Sequence, residues 1–209
     1  LSRFEKRCRK SIEQSHCMTQ IRAFIALDLP QPIQDSIEKE SSRLQKILGQ
    51  KTIRWTPIQN MHLTLKFLGN IPNTHVDFLK QMLTQTADSH SAFDLQIGGL
   101  GSFPSLKLPR VLWLGVQSSA GLMAAQKNIE EAVNKLGYEK EARAFSPHLT
   151  LGRVKQNIPQ PDLQKIRNTL QTFQLSKIPS ARVDSVHLYQ SELNSEGSIY
   201  TKLFSALLK

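Results

Sequence analysis

Cysteine is scarce in this chain of 209 residues, and both copies lie near its start. They are Cys8 and Cys17, and no cysteine follows them. The main part of the chain therefore cannot build a disulfide framework, a cysteine-based zinc site or a cysteine nucleophile. Because this usage fits a reducing compartment, we expect a cytoplasmic protein.

Long apolar runs are also missing. VLWLGV at 111–116 is among the longest, whereas a membrane-spanning helix needs roughly 20 apolar residues. The sequence therefore predicts a soluble protein with no membrane partner. Hydrophobic residues still make up 39% of the chain, which is enough for the core of one compact domain or of two small lobes.

Acidic residues are few relative to basic ones. The chain has 17 Asp and Glu against 27 Lys and Arg, which gives a net charge of +10. Such an excess favours a polyanionic partner such as nucleic acid. A cationic surface without such a partner has the same composition, so charge alone leaves both interpretations open.

The first seventeen residues differ from the rest. Residues 1–17 carry five basic and two acidic side chains and lack the apolar region of a secretory signal. We interpret them as an N-terminal extension or an expression remnant, with Met18 as the natural start. Residues 18–209 are then expected to form a single bilobal domain.

The pattern of elements repeats along this domain. IRAFIAL at 21–27 predicts a strand, and apolar spacing then predicts a helix, a strand, a second helix and a strand. A Gly- and Pro-rich connection is predicted at 98–110, after which the same order returns. The sequence therefore predicts repeat-like halves at about 21–98 and 110–207. The first helix is predicted from the helix-like spacing of Ile33, Ile37, Leu44, Ile47 and Leu48, with Gly49 closing it.

The four residues HLTL occur twice, at 62–65 and 148–151. Alternate side chains of a strand point to opposite faces, so each histidine should share a face with the threonine two positions later. If a two-fold relates the halves, both pairs face one cleft. Lys66 is expected on the His62 face, where it either attracts phosphate or stays solvated.

Two His–Thr pairs suit phosphodiester chemistry. Imidazole has a pKa of about 6.5, so it can hold or release a proton at neutral pH. One histidine can take a proton from the attacking oxygen while the other gives one to the leaving oxygen, each contributing on the order of 10²–10⁴ in rate. The threonine hydroxyls can bind non-bridging phosphate oxygens. This scheme requires no metal ion and no cofactor.

The motifs and their surroundings resemble a known family. HLTLKFLG and PHLTLGRV are similar to the paired HxTx signatures of the two-histidine phosphoesterases. Within that superfamily the chain resembles the LigT-like RNA 2′,3′-cyclic phosphodiesterases, once named 2′-5′ RNA ligases. The stretches that carry this resemblance are RAFIALDLP (22–30), RWTPIQNMHLTLKFLGNIP (54–72), GGLGSFP (98–104), RVLWLGV (110–116) and FSPHLTLGRV (145–154).

The resemblance implies an α+β fold of two pseudo-symmetric lobes, with antiparallel sheets flanked by helices around a central cleft. It implies hydrolysis of a 2′,3′-cyclic phosphate on RNA or a nucleotide to a 2′-phosphate, without metal. By position, His62 matches the general acid that protonates the departing O3′. His148 matches the general base that activates water, and Thr64 and Thr150 match the phosphate-binding residues.

Two more residues are implicated by the resemblance. Arg153 matches an arginine that contacts the phosphate or the base, a role that suits its planar guanidinium. Ideal alternation puts Arg153 on the face opposite His148. For its side chain to reach the phosphate, the strand must therefore end, bulge or twist. The matching residue of the first motif is Phe67, which makes the cleft asymmetric. Phe24 matches an aromatic near the cleft and either stacks on a base or belongs to the core.

Two other functions stay open. The same acid–base pair working in reverse would join RNA ends through a 2′-5′ bond without ATP. The positive charge alone also allows a non-catalytic RNA-binding protein, although binding needs no acid–base pair. Since a two-lobed enzyme has no need of a second copy, we expect a monomer.

Overall fold

The computed structural model describes residues 19–194 and 197–209. The extension predicted at 1–17, Met18 and both cysteines lie outside these residues. Each repeat-like half contributes two helices and alternating strands. The first half supplies β1 (Gln20–Leu27), α1 (Gln31–Leu48), β2 (Ile53–Trp55), β3 (Leu63–Pro72), α2 (Val76–Ala87), β4 (Phe93–Leu95) and β5 (Ile97–Ser105). The second half supplies β6 (Leu108–Val116), α3 (Ala120–Lys135), β7 (His148–Val154), α4 (Gln160–Thr172), β8 (Ala181–Val183), β9 (Ser185–Leu193) and β10 (Ser198–Leu207).

The strands form two four-stranded antiparallel sheets. Sheet 1 has the order β10-β9-β1-β3, and sheet 2 has the order β2-β7-β6-β5. Each sheet therefore combines strands from both halves of the chain. This architecture confirms the α+β fold class with antiparallel sheets and flanking helices.

The division into two repeat-like halves stays a prediction, which the topology favours, although β5 carries the first half beyond the predicted bound of 98 to Ser105. The third long strand of each half crosses over, since β9 pairs with β1 and β5 pairs with β6. The short strands β4 and β8 pair with each other in a separate two-stranded sheet. This exchange is the arrangement expected when a two-fold relates two similar units.

The helices cover the sheets with apolar faces. Ile33, Ile37 and Leu44 of α1 are fully buried, as their spacing predicts. Ile47 lies in the predicted helix but is 42% exposed, so it does not belong to the buried face. Helix α1 packs against α4, and α2 packs against α3. Within the described ranges, no helix is both long and apolar enough to cross a membrane.

The predicted connection at 98–110 is wrong, because most of it is β-structure. Strand β5 runs along β6 as the outer strand of sheet 2. Glycine and proline weaken strands in general, but here Gly101 lies beneath the ring of Trp113 and has no room for a Cβ. Pro104 follows a register shift near the strand end, where a missing N–H is tolerated.

Candidate active site

The two motif histidines have matching hydrogen bonds. Nδ1 of His62 lies 3.0 Å from the carbonyl oxygen of Asn60, and Nδ1 of His148 lies 2.8 Å from that of Ser146. A carbonyl oxygen only accepts, so Nδ1 carries the proton in each neutral ring. Nε2 then keeps its lone pair in both rings and can accept a proton.

One cavity of about 620 Å³ brings the two motifs together. This volume lies within the range of small-ligand sites, roughly 300–1,000 Å³. Sheet 1 supplies one part of its wall and sheet 2 another. The residues singled out from the sequence that line it are Phe24, His62, Thr64, Lys66, Phe67, His148, Thr150 and Arg153.

Equivalent β-bulges follow the two His–Thr pairs. Leu65 is an extra residue in β3 relative to its partner strand, and Leu151 is an extra residue in β7. An extra residue reverses the alternation of the side chains that follow it. Phe67 and Arg153 therefore share the faces of Thr64 and Thr150, and both line the cavity.

The same bulge corrects the expectation for Lys66. Reversed alternation turns its side chain away from His62, and the residue is only 3% exposed. Its Nζ donates to Glu130 Oε1 at 2.7 Å and to the carbonyl oxygen of Glu139 at 2.6 Å. Lys66 is therefore neither a phosphate ligand nor a solvated lysine.

Aromatic rings enclose His62. The Phe24 ring stacks on the imidazole with centroids 4.6 Å apart, and Tyr200 meets it edge-on at 5.1 Å. Phe24 is only 2% exposed, so its ring offers no free face to a base. This burial favours the core role for Phe24. Phe67, 6.1 Å from Phe24, is 57% exposed and lines the cavity.

His148 has a different surrounding. The edge of Phe103 meets its ring at a centroid distance of 4.8 Å, and Trp113 lies 5.4 Å beyond Phe103. Arg153, on the same face, is exposed and lines the cavity. The cavity therefore has aromatic rings around one histidine and combines an aromatic ring with a guanidinium at the other.

Comparison with known proteins identifies the family. The family model described as the 2′-5′ RNA ligase superfamily matches residues 33–194. The chain belongs to this superfamily. A curated relative from Methanothermobacter thermautotrophicus, named RNA 2′,3′-cyclic phosphodiesterase, is 31% identical over 183 residues, which covers 88% of this chain and 96% of the relative. The resemblance stated from the motifs is thus confirmed.

Two solved structures share the fold of this chain. The protein TT0787 of Thermus thermophilus superposes with a TM-score of 0.75 at 22% identity, covering 90% of this chain and 98% of its own. Escherichia coli LigT complexed with 3′-AMP superposes with a TM-score of 0.71 at 24% identity, covering 91% and 99%. These likenesses show that the chain shares its α+β fold with known proteins.

Burial and charge shift the pKa of His62 in opposite directions. Burial lowers the pKa of its imidazole, while the hydrogen bond to Asn60 and the charge of Asp28 raise it; the net effect is a lowered pKa. Asp28 accepts hydrogen bonds from Tyr189 at 2.5 Å and from Lys202 at 2.6 Å. Burial raises the pKa of this carboxyl, but the hydrogen bonds from Lys202 and Tyr189, together with the charges of His187 and Lys202, lower it, and the net effect is a lowered pKa.

Motif reasoning missed several residues of the superfamily site. Arg22 and Arg143 also line the cavity and add positive charge to that of Arg153. Arg143 lies in segment 139–147, which has no helix or strand, and no local pattern points to it. Phe67 did leave a signal, because it follows its histidine by the same five residues as Arg153. Among the described residues, no cluster of three or more His, Cys, Asp or Glu side chains could hold a metal ion.

Proposed function

We propose that this protein hydrolyses a 2′,3′-cyclic phosphate at the end of RNA, or on a nucleotide, to a 2′-phosphate. The observation that carries the proposal is the pair of histidines that line one cavity, each with Nδ1 hydrogen-bonded to a backbone carbonyl oxygen so that Nε2 keeps its lone pair. Relatives of similar length named RNA 2′,3′-cyclic phosphodiesterase support the same activity. The reaction uses protein side chains alone and takes no cofactor.

The proposed step balances with two proton transfers. Nε2 of His148 takes a proton from water as the water oxygen bonds to phosphorus. The bond between phosphorus and O3′ breaks, and the proton on Nε2 of His62 passes to O3′. The phosphate stays on O2′, and the histidines leave the step in exchanged protonation states.

The asymmetry of the cavity supports this order of roles. An in-line displacement places water opposite the departing O3′, so the ribose and base lie on the side of the acid. Phe67 and Tyr200 provide exposed or partly exposed rings on the His62 side. A base can stack there, and we assign base stacking to these residues instead of the buried Phe24.

The phosphate lies between the two motifs in this proposal. Thr64 and Thr150 donate their hydroxyl hydrogens to its non-bridging oxygens, one from each sheet. Arg153 adds a planar guanidinium that can bind two oxygens at once. Because burial lowers the pKa of His62, the negative phosphate has a second role, which is to favour the protonated form that an acid needs.

The superfamily name supports a second candidate, the joining of RNA ends. When a 5′-hydroxyl replaces water as the nucleophile, the cyclic phosphate opens to a 2′-5′ bond. The same step run in the opposite direction breaks that bond. Water at high concentration favours hydrolysis as the net direction. Non-catalytic RNA binding is less well supported, because binding does not need two imidazoles with free Nε2. Since one chain supplies both histidines, we propose a monomer; its cytoplasmic location stays a prediction.

Turnover of a 2′,3′-cyclic nucleotide in EDTA tests the proposal, with the product position read by phosphorus NMR. We expect a 2′-phosphate from the parent and losses of about 10²–10⁴ in kcat for His62→Ala and for His148→Ala. Incubation with 2′,3′-cyclic and 5′-hydroxyl RNA halves, without ATP, measures joining in parallel. An inactive parent would reject hydrolysis, and activity retained by both variants would reject the two-histidine mechanism.

A further inference from the structure

A buried ion pair lies directly behind the first His–Thr motif. Lys66 and Glu130 are joined at 2.7 Å, and their side chains are 2% and 13% exposed. Replacing such a pair by well-packed apolar residues is often neutral or stabilising. Folding stability alone therefore does not account for a lysine at this place, and a specific geometric role is the better explanation.

The pair connects three parts of the chain. Lys66 belongs to β3 and Glu130 belongs to α3. The second acceptor of Lys66 is the carbonyl oxygen of Glu139, the first residue of segment 139–147. The backbone N–H of Glu141 also donates to Glu130 Oε1 at 2.8 Å. No helix or strand orders this segment. A backbone hydrogen bond from Val116 N–H to the carbonyl oxygen of Pro147 at 3.1 Å fixes its end, and the contacts with Lys66 and Glu130 fix its beginning.

Helix α3 holds the bulge of β3 at two consecutive residues. Gln126 lies one turn before Glu130 on the same helix face, and its Nε2 donates to the carbonyl oxygen of Leu65 at 3.5 Å. Glu130 reaches Lys66, the next residue. The bulge that aims Phe67 at the cavity is therefore linked to α3 and, through Lys66, to segment 139–147.

Segment 139–147 carries parts of the active site. It leads directly into β7, and its Ser146 supplies the carbonyl oxygen that binds Nδ1 of His148. Arg143 and Phe145 line the cavity. A shift of the segment would move His148 and Arg143 relative to His62. Misplacement of reacting groups by about 1 Å can cost on the order of 10² in rate.

We propose that Lys66 and Glu130 are positioning residues that hold segment 139–147 against β3. The pair thereby sets His148 and Arg143, which come with one sheet, at the correct distance from His62, which comes with the other. Glu130 does not line the cavity, and Lys66, which borders it, directs its Nζ to Glu130 and to the carbonyl oxygen of Glu139. This inference rests on the proposed phosphodiesterase site and adds the residues that align its two halves.

The double variant Lys66→Met/Glu130→Leu tests the proposal, because it removes the pair without leaving a buried charge unpaired. We expect kcat for a 2′,3′-cyclic nucleotide to fall about 10- to 100-fold while the unfolding temperature changes little. Binding of inorganic phosphate should weaken at least about fivefold, and the His148 Hε1 resonance should shift. The single variant Lys66→Arg, which keeps a positively charged donor to Glu130 and Glu139, should retain most of the parental activity. Lys80→Met, which removes an exposed ion pair with Asp77 on α2, is the matched control and should behave as the parent.

Hydrogen exchange tests the same contact without any substitution. The Glu141 amide should exchange more slowly than that of Lys140, and inorganic phosphate should slow it further. This readout and phosphate binding need no turnover, so they remain informative if the proposed activity itself fails. Parental kcat and phosphate affinity in the folded double variant would overturn the proposal. If the double variant does not fold, hydrogen exchange in the parent decides instead. A Glu141 amide that exchanges as fast as that of Lys140, with no change on adding inorganic phosphate, would overturn the proposal.

Discussion

Phe67 and Arg153 occupy equivalent places in the two halves of the cavity. Each follows its motif histidine by five residues, each lies beyond one extra leucine in its strand, and both line the cavity. The same backbone device thus presents an aromatic ring beside one histidine and a guanidinium beside the other. Because the two sides of the cleft differ, we expect a cyclic nucleotide to bind it productively in one direction.

Phe67→Ala should weaken nucleotide binding without affecting inorganic phosphate. Stacking of one base on an aromatic ring contributes about 1–3 kcal/mol, so we expect KM for a 2′,3′-cyclic nucleotide to rise about 10-fold or more. Phe78→Ala is the matched control, because Phe78 is 60% exposed and lies on α2 outside the cavity lining. Equal effects of the two substitutions, measured by steady-state kinetics and phosphate titration, would contradict base stacking at Phe67.

Arg153→Lys should lose much of the activity although the charge is kept. A lysine ammonium cannot reproduce the two parallel hydrogen bonds of a guanidinium. We expect kcat/KM to fall about 10-fold or more and binding of inorganic phosphate to weaken. The control is Arg110→Lys, an exposed change on β6 that does not line the cavity. Parental kinetics for Arg153→Lys would remove Arg153 from the phosphate site.

The sequence predicted the pairing of His62 with Thr64 and of His148 with Thr150, because local alternation decides which face they share. It could not predict the side taken by Lys66, since the extra residue at Leu65 is defined only by pairing with β1. Arg153 posed the same problem, and its family position rather than its alternation pointed to the cavity. A bulge is defined by the register of two paired strands, so the sequence of one strand does not show where its extra residue lies.

Strand β5 shows a second limit. Glycines at 98, 99 and 101 are typical of a connection, and the composition of 98–110 was interpreted that way. The pairing with β6 and the Trp113 ring over Gly101 stabilise a strand that local preferences disfavour. Residues of segment 139–147 were missed for a related reason, because tertiary contacts alone place them.

Substrates with different leaving groups should separate the roles of the two histidines. A p-nitrophenyl phosphodiester releases p-nitrophenolate, which leaves without needing a proton. Loss of the general acid should therefore lower the rate on this substrate only slightly. We expect His62→Ala to keep most of the parental rate on this substrate while losing on the order of 10²–10⁴ on a 2′,3′-cyclic nucleotide. His148→Ala should fail on both. The reverse pattern would exchange the assigned roles.

Asp28→Asn should move the protonation of His62 to lower pH. The negative charge at Asp28 raises the pKa of His62 and partly offsets the lowering by burial. Without that charge the imidazolium is less favoured, so less of the acid is protonated at a given pH. The alkaline limb of kcat/KM, which reports the free enzyme, should therefore shift to lower pH. The His62 Hε1 titration by NMR should shift in the same direction, with Asp77→Asn as the surface control. An unmoved titration would show that Asp28 does not act on His62.

Gly101→Ala should destabilise the protein although the site is not a turn. A Cβ at this position would overlap the ring of Trp113, and overpacking of this kind typically costs about 1–3 kcal/mol of unfolding free energy. Gly98→Ala is the control, since a Cβ there meets nothing within 4 Å. Because Trp113 packs on Phe103 beside His148, kcat should fall as well. The added substitution Trp113→Leu makes room for the alanine and should restore part of the lost stability in a urea titration. If Gly101→Ala unfolds at the parental urea concentration, the close approach of Gly101 and Trp113 does not limit this strand, and its glycine must be explained in another way.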